Sequence, residues 1–202
     1  MTPSPPPAEE RPVSRSPAAW GRRLLVLLAD LCTLGRLSAA LTLIGLGLTV
    51  GAPALPLAIV VTLLGWTCDA LDGPLARWAG PALTTRLGRH DFTFDVTLAW
   101  ATLLYLGLAG FLPLVPILVY LTLALLAIVR ARRKAVTIAL LRPVDITCVL
   151  TVLWHAPRWG GGVLAFLLLQ LLLHWHRFFR NTRAWWRELT EMVAGYLSRG
   201  KA

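Results

Sequence analysis

Apolar residues along this chain come in six long runs, separated by short breaks whose charge alternates. The runs cover about residues 33–50, 55–77, 91–111, 114–130, 137–155 and 160–177, each about long enough as a helix to cross a bilayer near its normal. The breaks at 51–56 and 110–116 hold no charged residue, and 156–162 holds Arg158 alone. The others carry Arg77, Arg86 and Arg89, then Arg130, Arg132, Arg133 and Lys134. Loop arginines and lysines stay on the cytoplasmic side, so the pattern predicts both termini in the cytoplasm.

Amphipathic stretches flank the runs. Ala18 to about Asp30, with Trp20, Arg22 and Arg23, reads as a juxtamembrane helix lying along the surface. Residues 181–199 place Trp185, Leu189, Met192, Val193 and Tyr196 at helical spacing and read as a C-terminal interfacial helix. Residues 1–17 carry six prolines and no apolar run, which predicts a disordered tail and no signal peptide. The expected fold class is an all-α membrane protein with six transmembrane helices. Its parts are a tail (1–17), a membrane domain (18–180) and an interfacial segment (181–202).

Composition agrees. Of the 202 residues 56% are hydrophobic and 15% charged, where an average soluble domain has about 25% charged. The net charge of +10 does not point to nucleic acid, because the basic residues punctuate apolar runs. Cys32, Cys68 and Cys148 are odd in number and set in apolar stretches, fitting neither a disulfide framework nor a zinc pattern.

The acidic residues carry the chemistry. Outside the tail and the flanking helices, the carboxylates are Asp69, Asp72, Asp91, Asp95 and Asp145. A carboxylate in an apolar span is costly and marks function. Four of these five cluster around one cytoplasmic turn. At helical periodicity Asp69, Asp72, Gly73 and Ala76 share one face, and Asp91 and Asp95 stand one turn apart on the next helix. Four converging negative charges need a cation, and an all-oxygen set favours Mg²⁺, Mn²⁺ or Ca²⁺ over zinc. Gly73 and Ala76 leave that face open for a ligand. The competing reading has these aspartates salt-bridged to Arg77, Arg86 and Arg89 at the helix mouths.

Asp69-Ala-Leu-Asp72-Gly73-Pro-Leu-Ala76-Arg77, followed by Gly88, Asp91 and Asp95, resembles the signature of the CDP-alcohol phosphatidyltransferase family. Leu31-Cys-Thr33-Leu-Gly-Arg36 is similar to the threonine-and-arginine segment at that family's first span. One position departs: the family glycine is due at 87, where this chain has Leu87, with Gly88 one place late. The resemblance implies transfer of a phosphatidyl-type group from a CDP-linked lipid such as CDP-diacylglycerol to an alcohol, releasing CMP. It further implies Asp69, Asp72, Asp91 and Asp95 as ligands of a two-metal Mg²⁺ or Mn²⁺ site, with Asp95 also the general base. Gly73, Ala76 and Arg77 would line the CDP-lipid pocket. A homodimer in the plasma membrane, its site facing the cytoplasm, is the expected setting.

Arg130, Arg132, Arg133 and Lys134, with Arg142 further along, are candidate acceptor ligands, since arginine forks hold phosphate oxygens in two-point contact. They favour a phosphorylated polyol such as glycerol 3-phosphate or inositol phosphate as acceptor. Arg142 and Asp145 either face a cavity inside the fifth span or mark its interfacial start at Arg142-Pro143. His174 and His176, two apart on a helix, point away from each other. The competing function class is a non-catalytic CDP-lipid-binding protein or a transporter.

Overall fold

The computed structural model describes residues 17–79, 91–173, 175, 179–180, 182–187 and 190–191. There is no strand among them. The chain forms α1 (Pro17–Thr49), a 3-10 turn (Ala52–Ala54), α2 (Leu55–Ala79), α3 (Asp91–Leu108), α4 (Leu114–Ala131), α5 (Lys134–His155) and α6 (Pro157–Leu173). Positions 182–187 are helical as well. Among the described residues four segments are long and apolar enough to cross a membrane: Leu24–Thr49, Ala52–Asp72, Leu114–Ala131 and Ala135–His155. The apolar parts of α3 and α6, Val96–Leu108 and Pro157–Leu173, are shorter. Of the proline-rich tail expected at 1–17, residues 1–16 lie outside the described residues, and Pro17 belongs to α1.

Breaks fall where the backbone demands them. Gly51 at φ 72° and Gly110 at φ 81° take left-handed conformations that cost glycine nothing. Arg132 also adopts φ 49° and caps α4, its N–H bonded to Ile128 O at 2.9 Å. Pro157 opens α6, where a missing N–H does no harm.

Two expectations are corrected. The juxtamembrane helix and the first span are one helix, since nothing between Ala29 and Thr33 removes a donor or needs positive φ. Thr33 Oγ1 bonds back to Ala29 O at 3.2 Å within it. The fifth span does not begin at Arg142-Pro143. Helix α5 starts at Lys134, so Arg142, Pro143 and Asp145 lie inside it.

Helix α1 packs along both α2 and α3. Its buried stripe is Thr33, Arg36, Ala40 and Leu43, the three-and-four spacing of a helix contact seam. Helix α3 is the most enclosed, with Leu98, Ala101, Leu103, Tyr105 and Leu106 all in the core. Small residues set the approach: a Cβ on Gly47 would lie 3.0 Å from Leu108 Cβ, and one on Gly65 2.5 Å from Leu98 Cδ2. Several polar groups within the bundle are satisfied locally. Thr62 and Thr102 each bond to their own helix and face each other at 3.4 Å, and Tyr105 Oη donates to Gly51 O at 3.1 Å. Large apolar side chains cover the outside, among them Leu41, Leu64, Val115, Leu123 and Leu172. So broad an exposed apolar surface suits lipid contact.

Short connections make successive helices run up and down. The start of α1, the end of α2, the start of α3, the α4–α5 turn and the end of α6 therefore gather at one end of the bundle.

Candidate functional site

Asp69 and Asp72 stand at that end, one turn apart on α2, and both reach a residue of α1. Arg36 Nη1 donates to Asp69 Oδ1 at 3.0 Å, and Nη2 lies 2.6 Å from Asp72 Oδ2. The Arg36 side chain is 0% exposed, that of Asp72 9% and that of Asp69 53%. The three differ because Arg36 and Asp72 continue the buried stripes of their helices, whereas Asp69 lies on an exposed side of α2. Through Asp69 the carboxylate pair stays partly open to solvent.

Salt bridging of the α2 carboxylates is thus present, with Arg36 as a partner of both; the side chains of Arg77, Arg86 and Arg89 lie outside the described residues. The intramembrane charge rule, applied above to acidic residues only, picks out Arg36 too, since it lies inside the first apolar run.

The same seam holds two thiols. Cys32 and Cys68 lie within electrostatic reach of each other, and neither is in a disulfide. A Cβ on Gly35 would meet Cys68 Sγ at 3.6 Å, ordinary contact that lets α1 and α2 sit close here. Sequence spacing hid this meeting of two separated cysteines.

Asp91 and Asp95 occupy the first two turns of α3, one turn apart as expected. The side chains of Asp91, Asp95, Gly73, Ala76, Arg77 and Lys134 lie outside the described residues, as do Leu87, Gly88, His174 and His176. Among the described residues, no group of three or more His, Cys, Asp or Glu is placed to hold a metal. Of the expected ligand set, the described side chains include only the α2 half, Asp69 and Asp72.

Arg130, Arg132 and Arg133 are exposed at the two-residue turn joining α4 to α5. Arg142 and Asp145 form an i,i+3 ion pair at 3.7 Å on α5, with side chains 58% and 36% exposed. Asp145 also lies within electrostatic reach of Asp69, which brings α5 to the edge of the carboxylate site. Pro143 removes one helical donor from α5, and nearby Tyr120 Oη of α4 donates to Leu140 O.

Comparison with known proteins gives no match, whether to a family model, a curated protein or a solved structure.

Proposed function

We propose that this chain is a membrane-embedded CDP-alcohol phosphatidyltransferase. The observation that carries the reading is the placement of Asp69 and Asp72 side by side at the end of α2, while Asp91 and Asp95 open α3 at the same end of the bundle. The residues between and around them follow the family's order, Leu87 apart. In this reading α3 and α6 also cross the bilayer, giving six spans. Both termini and the site face the cytoplasm, and the protein is a homodimer in the plasma membrane.

Asp69, Asp72, Asp91 and Asp95 would hold a pair of divalent cations, Mg²⁺ or Mn²⁺. The donor set fits such ions, being all carboxylate, with Asp69 half-open to solvent. When bound, the ions neutralise the donor's diphosphate as charge develops on the departing phosphate.

The chain's own residues do the rest. Gly73 and Ala76 leave room for the cytidine diphosphate on the α2 face, and Arg77 pairs with it. Asp95 takes the proton of the acceptor hydroxyl as its oxygen attacks the lipid-bearing phosphorus. The new P–O bond replaces the bond from that phosphorus to the bridging oxygen, which leaves with CMP. Position counts for more than basicity, since a metal-bound carboxylate is a weak base. Arg36 touches neither substrate nor acceptor. It positions Asp69 and Asp72 and keeps their charges tolerable while the site is empty of substrate. Arg130, Arg132, Arg133, Lys134 and Arg142 would receive a phosphate on the acceptor.

A second reading has one observation behind it. Arg36 already neutralises part of the α2 carboxylate pair, which suits a protein that binds CDP-lipid without turning it over. Incubation with CDP-diacylglycerol, divalent cation and a panel of alcohols separates the two. CMP release with an acceptor-dependent lipid product supports the enzyme. Stoichiometric donor binding without CMP supports the binder.

A further inference from the structure

Beyond the end of α6, Trp175, Phe179, Arg180, Arg183, Ala184 and Arg187 line a groove of about 620 Å³. We propose that this groove binds the phosphate of an anionic membrane phospholipid. The proposal does not need the transferase chemistry; it rests only on that reading's placing of α6 in the bilayer.

Arg183 and Arg187 stand one turn apart on the helical stretch 182–187, and Arg180 lines the same groove. Neighbouring guanidinium groups so placed can bracket a single phosphate, each offering a two-point fork. All three side chains are exposed, and among the described residues no carboxylate forms an ion pair with them. Being exposed, they can meet an external anion.

The other wall selects a lipid over a soluble phosphate. Trp175 and Phe179 pack ring to ring, centroids 4.4 Å apart at 57°, and offer an apolar shoulder beside the arginines. Helix α6 delivers its apolar run up to Leu173, just before the groove, so the arginines sit where hydrocarbon gives way to headgroups. A phosphodiester with acyl chains below it matches both halves; inorganic phosphate matches one.

The groove is also anchored. Trp185 Nε1 donates to Ala135 O at 3.1 Å, tying positions 182–187 to the start of α5. Arg183 and Arg187 are thus presented from an anchored helical stretch at the end of the bundle that also carries Arg130, Arg132 and Arg133.

The test uses the full chain in neutral detergent, titrated with phosphatidylglycerol or phosphatidylcholine and read by native mass spectrometry. Wild type should prefer phosphatidylglycerol by about tenfold or more, a modest share of what three basic residues at a membrane surface can supply. Arg180→Gln/Arg183→Gln/Arg187→Gln should lose that preference, and Arg183→Gln alone should lose part of it. The corresponding triple lysine variant keeps the charge but not the forks, and should bind several-fold more weakly than wild type. Millimolar inorganic phosphate should not displace the lipid. Retained preference in the triple glutamine variant overturns the proposal, as does wild-type binding by the lysine variant, which would mean charge alone. Displacement by inorganic phosphate would assign the groove to a soluble anion.

Discussion

Arg36 Nη2 of α1 lies 2.6 Å from Asp72 Oδ2 of α2, with both side chains shut away from the surface. A fully buried arginine on the seam between the two helices is held there by the carboxylates it meets. Removing one member of such a pair strands the other charge in a low-dielectric interior, and the cost falls on folding before it falls on chemistry.

Arg36→Gln should therefore destabilise the protein strongly, by about 3–5 kcal/mol as for other broken buried pairs. Adding Asp72→Leu should recover part of the loss, since the stranded charge goes with it. Thermal unfolding in detergent checks both. If Arg36→Gln unfolds at the wild-type temperature, the pair is not holding the helices together.

Asp69 tests the division of labour from the other side. Its side chain is 53% exposed, so Asp69→Asn should cost less than about 1 kcal/mol of stability. It should nonetheless abolish metal-dependent turnover, because it removes a charged ligand. A variant that folds normally and stays active at low metal would remove Asp69 from the ligand set.

Glycine contacts make a sharper stability prediction. A Cβ on Gly160 would sit 2.9 Å from Leu153 Cα, a backbone atom that cannot give way, whereas one on Gly161 meets nothing within 4 Å. Gly160→Ala should destabilise by about 1–3 kcal/mol through overpacking of the α5–α6 contact. Gly161→Ala should be neutral or slightly stabilising. Equal unfolding temperatures for the two variants would contradict the close approach of these helices.

The acceptor arginines are read through KM. Arg132→Ala, Arg133→Ala and Arg142→Ala should each raise KM for a phosphorylated polyol by about tenfold, the loss of one charge-assisted contact. KM for the matched unphosphorylated alcohol should stay unchanged. Unchanged values with both acceptors would leave these residues as ordinary cytoplasm-facing charge.

Much of this architecture is legible in the sequence because lipid imposes long apolar runs and because glycine and proline mark the turns between them. Gly51, Gly110 and Pro157 each stand where a helix begins or ends. The α2 carboxylates are legible for the same reason: charge inside an apolar run is rare enough to stand out. Arg36 follows that rule equally, yet its partners, 33 and 36 positions away, depend on how α1 lies against α2. Periodicity within one helix does not specify that. The Cys32–Cys68 meeting and the reach of Asp145 towards Asp69 are hidden likewise, being products of helix placement. The expected break near Asp30 fails because amphipathic character does not itself end a helix; only a lost donor or a strained φ does, and that stretch has neither.

Release of CMP from CDP-diacylglycerol, measured in wild type and Asp95→Asn with and without Mg²⁺ or Mn²⁺, tests the central claim most directly. Wild type should release CMP only with the cation and an alcohol present. Asp95→Asn should lose about a hundredfold or more in rate while still binding the donor, since a general base acts in the transition state. Cation-independent release, or an Asp95→Asn variant as fast as wild type, would contradict the account.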